Sequence, residues 1–432
     1  MVSKSWLAIP RESHFSLANL PFGIISTLQN PSPRPAVAIG ENVLDLSVFA
    51  SSKGFSELGE HSSIIGDVLS ETTLNSFAAL GRPIHASVRK YLRALLEENT
   101  PYPDVLKSNI DLRTRAILPQ KDVQNHLPME IGDYTDFFAG VHHAFNIGVL
   151  FRGPENALQP NYMHLPVAYH GRASSVIVSG TAFKRPWGQV FLNAATTTKI
   201  PTFTPCKRLD IELELGMFVC KPSKLGEQIK VDAASEHIFG YVLMNDWSAR
   251  DIQMWEYVPL GPFNAKNFAT TISPWVVLAD ALEPFATAGL ENKTELQSYL
   301  RESNKKSGLD IKLEVDITTA KGNTTTISRT NASNLMWSFQ QMLSHHSVSG
   351  CPMRTGDLLG SGTISGSEPG TQGSLLEQIH GGKVALKLNG GEERKFLQDG
   401  DTVTIRGWAG GDEDAVVGFG SCTGTLLPAL EL

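Results

Sequence analysis

This chain of 432 residues has few cysteines, no net positive charge and no long apolar run. Its four cysteines, Cys206, Cys220, Cys351 and Cys422, are too scattered for a disulfide framework or a cysteine metal site. A net charge of −7, without a lysine or arginine cluster, argues against nucleic acid as a partner. No apolar run approaches the roughly 18–20 residues of a membrane span, and the N-terminus lacks a secretory signal pattern. We therefore expect a cytoplasmic protein with reduced thiols and no membrane association.

The length of the chain and the distribution of glycine predict two domains. A chain of 432 residues exceeds one ordinary core. Short apolar runs separated by turns predict strands in an N-terminal domain with its linker, residues 1–122. From 123 to 432, many short strand-like segments occur without regular β/α alternation. Apolar spacing predicts helices near Ala86–Glu98, Leu296–Ser303 and Asn334–His345. The fold class predicted is mainly β (α+β).

Two glutamates at alternate positions are the most informative local feature. Side chains alternate in a strand, so Glu212 and Glu214 share one face while Ile211, Leu213 and Leu215 face the other. Neighbouring carboxylates repel each other, and glutamate is depleted in strands. A bound cation would compensate both. The alternative is the solvated face of an edge strand.

Two aspartates in unusual settings extend this hypothesis. Asp136 lies in Asp-Tyr-Thr-Asp-Phe, and Asp246 lies in Met-Asn-Asp-Trp-Ser. With the two glutamates they would form an all-oxygen site, which suits Ca²⁺ or Mg²⁺ better than zinc or copper. The alternative is that each aspartate belongs to a turn or a helix cap.

The segment after Asp246 combines several polar groups at helical spacing. If it is helical, Arg250, Gln253 and Tyr257 share one face, which suits recognition of a carboxylate-bearing substrate. A surface helix with a salt bridge is the alternative. His143 follows Asp136 closely and could act as a base, although a lone histidine is more often structural.

A glycine-rich stretch, residues 356–377, is not a phosphate-binding loop. Its backbone amides could approach a ligand closely, and Thr363 could donate a hydroxyl there. The alternative is a set of tight turns.

Five longer motifs resemble the fumarylacetoacetate hydrolase family, in the right order and over nearly the whole chain. They are residues 133–137, 164–172, 210–216, 244–253 and 361–366. The resemblance implies a small SH3-like β-barrel domain followed by a larger β-rich catalytic domain of the fumarylacetoacetase type, in a homodimer. The implied reaction is metal-dependent hydrolysis of the carbon–carbon bond of 4-fumarylacetoacetate to fumarate and acetoacetate, the last step of tyrosine and phenylalanine catabolism.

The resemblance also implies roles for individual residues. The metal acids match Asp136, Glu212, Glu214 and Asp246, with Lys266 and Thr270 beside a second, Mg²⁺, position. The base matches His143, and the carboxylate that orients it matches Glu377. The positions that bind or polarise the substrate match Arg152, Tyr169, Arg250, Gln253, Tyr257, Lys266 and Thr363. Phe138 also lies at a substrate-binding position, where animal members have a tyrosine, so one hydrogen bond is lost or supplied elsewhere.

Two alternative functions remain at this point. The broader family includes acylpyruvate hydrolases and metal-dependent decarboxylases or isomerases of small oxo acids. The N-terminal domain and the face with Arg250, Gln253 and Tyr257 favour the larger diacid substrate. A non-catalytic binding protein on the same scaffold is the other alternative. The occurrence of His143 with Glu377 argues against it, because binding alone requires neither.

Overall fold

The computed structural model describes residues 4–191, 200–411 and 416–432. In its N-terminal part the strands are β1 (Phe22–Thr27), β2 (Arg34–Ile39), β3 (Asn42–Asp45), β4 (Ile117–Pro119) and β5 (Val123–His126). The helices there are α1 (Leu46–Ser51), α2 (Ser62–Val68), α3 (Asn75–Ala79), α4 (Arg82–Leu96) and α5 (Ile110–Ala116). The strands form one antiparallel sheet in the order β4-β3-β2-β1-β5. Since β5 begins at Val123, this sheet continues past residue 122; the domain boundary itself stays a prediction.

Helix α4 is longer at its start than the apolar spacing indicates. It begins at Arg82, with Pro83 in the first turn, where a missing N–H costs nothing. Its buried face includes Val88, Leu92 and Leu95, in agreement with the predicted periodicity. The helix ends at Leu96 because Glu97 is extended.

The larger C-terminal part contains the remaining strands and helices. Its first strands are β6 (Tyr134–Phe137), β7 (Ala168–His170), β8 (Val176–Val178), β9 (Phe183–Lys184), β10 (Trp187–Val190), β11 (Thr202–Pro205), β12 (Leu209–Asp210), β13 (Leu213–Val219), β14 (Ile238–Asp246), β15 (Ser248–Ala249) and β16 (Thr270–Ile272). They are followed by β17 (Val277–Leu278), β18 (Ala286–Thr287), β19 (Gly308–Leu309), β20 (Lys312–Thr318), β21 (Thr324–Asn331), β22 (Leu358–Gly360), β23 (Leu386–Lys387), β24 (Glu393–Arg394), β25 (Thr402–Ala409) and β26 (Val417–Leu427). The helices are α6 (Val141–Arg152), α7 (Arg250–Glu256), α8 (Ala279–Leu282), α9 (Phe339–Ser347) and α10 (Leu375–Gln378). The sheet-rich α+β class is therefore confirmed, as is a smaller N-terminal domain preceding a larger one.

Two sheets build the C-terminal core. The larger has the order β7-β6-β22-β13-β14-β16-β8, with β17 also paired to β14. The second has the order β21-β20-β25-β26-β9. Apolar side chains pack between them, including Leu243 from β14, Leu313 from β20 and Phe419 from β26. Strand β13 thus lies inside a sheet, and Glu214 on it is fully buried, so the edge-strand interpretation of the glutamate pair is wrong.

The two parts of the molecule share an apolar core. Phe22 of β1 forms a bridge with Val276, and Phe77 of α3 packs edge-on against Phe239 of β14. The side chain of Arg82 pairs with Asp280 at the same junction. These contacts join the N-terminal sheet to the strands that carry the acidic residues.

Two helix predictions are corrected. Leu296–Ser303 contains only a short 3-10 turn, Ser298–Leu300. Its neighbours are extended because they bond to other segments; for example, the Ser303 amide donates to Asp232. The helix predicted from Asn334 begins only at Phe339, because Ser338 caps it. None of the helices in the described ranges is long and apolar enough to cross a membrane.

Candidate active site

Three strands of the larger sheet bring four acidic residues together. Asp136 lies on β6, Glu214 on β13 and Asp246 at the end of β14, while Glu212 directly precedes β13. Strand β22 joins β6 to β13, since Gly360 pairs with both Asp136 and Gly216. One carboxylate oxygen from each acid lies within 4.8 Å of the others, and all four side chains are buried. We call these four residues the acidic cage.

Two members of the acidic cage lack cationic partners of their own. Asp136 Oδ1 and Glu214 Oε1 are buried and accept no hydrogen bond from the residues that the structure describes. Glu214 Oε2 accepts only from the Gly362 amide, at 3.1 Å. Burial, followed by the neighbouring carboxylates, raises the pKa of both Asp136 and Glu214 well above the ordinary values.

The other two members are paired with cationic side chains. Lys266 Nζ lies 2.5 Å from both Glu212 Oε2 and Asp246 Oδ2, and Arg250 Nη1 lies 2.7 Å from Glu212 Oε1. Burial alone would raise the pKa of Glu212, but Lys266, Arg250 and His143 oppose it and lower the pKa to about 2. Asp246 also accepts hydrogen bonds from Tyr169, at 2.7 Å, and from Thr270, at 3.0 Å.

The residues present fit a divalent cation. The donor set is entirely carboxylate oxygen, as Ca²⁺ and Mg²⁺ prefer, and two of its oxygens have no other partner. Gly360 leaves room for an ion beside them, since a Cβ there would lie 2.5 Å from Asp136 Oδ1 and 3.1 Å from Glu214 Oε2. The acidic cage could therefore hold a metal; its chemistry does not distinguish the two ions.

His143 lies beside the acidic cage and is oriented by Glu377. Helix α6 carries His143 and starts after Gly140, where a Cβ would lie 2.2 Å from the Thr363 carbonyl oxygen. His143 Nδ1 lies 2.6 Å from Glu377 Oε2, and its Nε2 lies 4.0 Å from Glu212 Oε1. Burial would raise the pKa of Glu377, but His143, Asn146 and Ser374 together lower it below the ordinary value.

Helix α7 supplies the other polar wall of the site. Arg250 is buried, and its Nη1 also donates to Gln253 Oε1 at 3.2 Å. The predicted helix and shared face of these two residues are thus confirmed, while the surface-helix interpretation is wrong for Arg250. Tyr257 directly follows the helix and is 39% exposed, so its phenol is at the mouth of the site.

A cavity of about 370 Å³ connects these groups. The predicted site residues that line it are Asp136, Phe138, His143, Arg152, Tyr169, Glu212, Glu214, Arg250, Gln253, Tyr257, Lys266 and Thr363. Behind the wall lie Asp246, Thr270 and Glu377, which reach the site through the residues that they contact.

Three residues that line the cavity make contacts of different kinds. Thr363 Oγ1 is buried and has no hydrogen-bond partner within the described ranges. The Arg152 guanidinium donates to the carbonyls of Asn156 and Ala157. Phe138 presents its ring edge-on to His143, at 5.5 Å between ring centroids.

The sequence alone did not single out several residues that position the site. Asp210 is fully buried and accepts from Arg250 Nε at 2.8 Å and from the Leu375 and Leu376 amides at 2.7 and 3.1 Å. It therefore connects Arg250 to the helix that carries Glu377. The sequence feature that could have identified Asp210 is its position two residues before Glu212, at the start of the motif that contains both glutamates.

Comparisons with known proteins agree with this geometry. The family model for the fumarylacetoacetase N-terminal domain matches residues 18–128, and that for the fumarylacetoacetate (FAA) hydrolase C-terminal domain matches residues 134–426. This chain belongs to the fumarylacetoacetate hydrolase family. The resemblance of the motifs is thereby confirmed.

Relatives within this family match at full length. The chain is 64% identical to a fumarylacetoacetase of Aspergillus fumigatus and 60% identical to one of Emericella nidulans, each over 430 residues, with 99% of both chains covered. It is 48% identical to the fumarylacetoacetase of Bos taurus over 427 residues, again with 99% coverage of both. A solved fumarylacetoacetate hydrolase from Exiguobacterium antarcticum shares the fold, with a TM-score of 0.53, 15% identity and coverage of 95% of this chain and 99% of that one.

Proposed function

We propose that this protein hydrolyses 4-fumarylacetoacetate to fumarate and acetoacetate. The observation that carries the proposal is that His143, oriented by Glu377, lines the same cavity as three members of the acidic cage. Three full-length relatives bear the name fumarylacetoacetase. The place of the reaction at the end of tyrosine and phenylalanine catabolism follows from that activity.

The nucleophile in this proposal is a water molecule activated by His143. Glu377 accepts a hydrogen bond from Nδ1 at 2.6 Å, which leaves Nε2 to remove a proton. The 4.0 Å between Nε2 and Glu212 Oε1 is a separation that one water can bridge. The hydroxide attacks the carbonyl carbon beside the fumaryl group.

Arg250, Gln253 and Lys266 would stabilise the oxyanion that forms in this attack. Arg250 and Lys266 are buried, so their charges act with little screening by water. Both remain protonated, because the carboxylates beside them raise the pKa values above the ordinary ones despite the opposing effect of burial. Removal of one such donor typically slows a reaction by about 10²–10³-fold.

Collapse of the tetrahedral intermediate breaks the carbon–carbon bond and completes the reaction. The electron pair of that bond leaves with the acetoacetate fragment. The carbon released by the cleavage takes up the proton held by His143 and becomes the methyl group of acetoacetate. The water oxygen remains in the new carboxyl group of fumarate. A divalent cation bound to the acidic cage would supply Lewis-acid stabilisation of the β-dicarbonyl oxygens.

The ends of the substrate would contact the outer part of the cavity. Arg152 and Tyr257 lie where they can bind a terminal carboxylate of the substrate. Tyr169 and Thr363 present hydroxyls deeper in the wall of the cavity. Phe138 contributes an apolar edge there instead of a phenol. Thr270 and Lys266 would border a second cation position.

Isotope labelling tests the reaction. In H₂¹⁸O, the label should enter a carboxyl group of fumarate and be absent from the carboxyl group of acetoacetate. Acylpyruvates, the substrates of the alternative, should be hydrolysed at least about 100-fold less efficiently in kcat/KM, because they cannot engage both ends of the cavity. Faster hydrolysis of acylpyruvates than of fumarylacetoacetate would favour that alternative.

Three finer features belong to the same proposal. The cation at the acidic cage is Ca²⁺ or Mg²⁺, both of which bind oxygen ligands, with Mg²⁺ at the second position. The protein is a homodimer located in the cytoplasm. Elemental analysis of the purified protein and sedimentation in dilute solution test the first two, and cell fractionation tests the third.

A further inference from the structure

Glu377 has an unusually complete set of hydrogen-bond partners for a buried carboxylate. Its Oε2 lies 2.6 Å from His143 Nδ1, 2.8 Å from Ser374 Oγ and 3.0 Å from Ser365 Oγ. Its Oε1 lies 2.9 Å from Asn146 Nδ2. Both oxygens therefore have partners, in contrast to Asp136 Oδ1 and Glu214 Oε1 of the acidic cage, which have none among the described residues.

The direction of these hydrogen bonds follows from the other partners of the two hydroxyls. Ser365 Oγ accepts from the Gly373 amide at 2.9 Å, and Ser374 Oγ accepts from the Glu377 amide at 3.4 Å. Each hydroxyl therefore already accepts from a backbone N–H and directs its own hydrogen to Glu377. A carboxylate can only accept, so the amide nitrogen of Asn146 must also be the donor.

These donors determine where the proton of His143 resides. With two hydroxyl hydrogens directed at Oε2, a proton on that oxygen would have no room and would displace a donor. Glu377 is then an ionised acceptor, and the remaining contact at 2.6 Å requires a hydrogen on His143 Nδ1. The other ring nitrogen, Nε2, lies on the side of the cavity, 4.0 Å from Glu212 Oε1.

We infer that Ser365, Ser374 and Asn146 form a cradle of positioning residues that holds Glu377 ionised and fixes His143 as its Nδ1–H tautomer. The three side chains act through Glu377 and come from separate places in the chain: the glycine-rich loop, the N-cap of α10 and helix α6. Asn146 lies one turn after His143 on α6, so a single helix sets both groups against the same carboxylate. The catalytic part of this inference rests on the proposed function, whereas the tautomer does not.

Histidine ¹⁵N NMR of the substrate-free protein tests the tautomer, with His143→Ala used to assign the signal. In the neutral ring of the wild type we expect the proton on Nδ1. In the double variant Ser365→Ala/Ser374→Ala we expect the two tautomers to be mixed. Ser374→Thr, which keeps the hydroxyl, should restore the wild-type signal relative to Ser374→Ala. A wild-type spectrum with the proton on Nε2 would overturn the inference.

Steady-state kinetics provide the second readout. The double variant should lose about 10–100-fold in kcat with KM nearly unchanged, as is typical for groups that orient a functional side chain. Asn146→Leu, of similar size, should cause a smaller loss and serves as the test if the double variant does not fold. Ser344→Ala is the matched control, because Ser344 is a buried serine that donates to the Tyr299 carbonyl in another region.

The two measurements separate failure of this inference from failure of the proposed function. Unchanged kcat and an unchanged His143 signal in both the double variant and Asn146→Leu would contradict the cradle. A wild-type protein with the expected tautomer but no hydrolysis of fumarylacetoacetate would instead contradict the proposed function.

Discussion

The two sides of the acidic cage are equally buried but differ in their charge balance. On one side, Glu212 and Asp246 contact Lys266, and Glu212 also contacts Arg250. On the other, Asp136 and Glu214 each leave one oxygen without a donor. We call these the compensated side and the uncompensated side. A buried charge is costly unless it is paired, so the compensated side is stable through the protein alone, whereas the uncompensated side needs protons or a cation.

The largest expected effect separates the reaction from cation binding. His143→Ala removes the base next to the compensated side and should lower kcat by about 10³-fold or more, since general base catalysis contributes about 10²–10⁴. Calorimetric titration with Ca²⁺ should give nearly the wild-type affinity, because no cage oxygen is changed. His142→Ala, the neighbouring residue on the same helix, is the control. Near-normal kcat in His143→Ala would contradict the assigned base.

The second prediction compares one glutamate from each side. Glu212→Gln removes the carboxylate that Lys266 and Arg250 share, although Lys266 keeps Asp246 and Arg250 keeps Asp210 as a partner. The loss of a shared buried partner should destabilise the cation-free protein by about 3 kcal/mol. Glu214→Gln replaces a buried carboxylate that has no cationic partner with a neutral amide. The stability of the cation-free variant at pH 8 should therefore equal or exceed that of the cation-free wild type. Urea unfolding in the presence of a chelator measures both, and equal destabilisation would remove the distinction between the sides.

The third prediction concerns pH. On the uncompensated side the pKa values are raised, so the folded state binds protons more tightly than the unfolded state. Their stabilising contribution is therefore complete below the ordinary pKa near 4 and is lost as pH rises through the folded values. Each linked proton changes stability by about 1.4 kcal/mol per pH unit. Cation-free protein should lose stability as pH rises from 5 to 8.

Added Ca²⁺ should reverse this loss, because the ion replaces the protons. The increase in Tm on adding Ca²⁺ should consequently be larger at pH 8 than at pH 5. Glu214→Gln should flatten the dependence. An increase in Tm that is independent of pH would show that no proton is exchanged for the cation.

The smallest expected effect lies outside the acidic cage. Phe138→Tyr would place a phenol beside His143 and the substrate, and one added hydrogen bond is worth about 1 kcal/mol. We expect KM to fall by less than about 10-fold, with kcat unchanged. Initial-rate kinetics on the purified variant test this, and a large change in kcat would indicate that the Phe138 ring positions His143.

Sequence patterns predicted the acids but not their surroundings. Alternation placed Glu212 and Glu214 together, but it could not distinguish an edge strand from an interior one, because that depends on β22 pairing with β13. The meeting of Asp136 with Asp246 depends on strands more than 100 residues apart in the sequence, which no local pattern encodes. The resemblance of the motifs supplied these links.

Two of the residues that the sequence left unnoticed are serines in the glycine-rich stretch. Ser365 and Ser374 stand in a glycine-rich stretch without periodicity, so nothing local marks them as donors to Glu377. Helical spacing did place Arg250 beside Gln253, and the same rule places Asn146 beside His143. Short-range spacing was therefore informative on helices and uninformative in the loops.

The most direct test of the proposed activity is the absorbance of fumarylacetoacetate after addition of the purified protein. With Ca²⁺ or Mg²⁺ present, the absorbance should disappear while fumarate and acetoacetate form in equal amounts. After chelation and exhaustive dialysis the absorbance should persist. Adding the cation back should make the absorbance disappear again. Full activity in protein that elemental analysis shows to be free of metal, or no activity in protein loaded with the cation, would contradict the account.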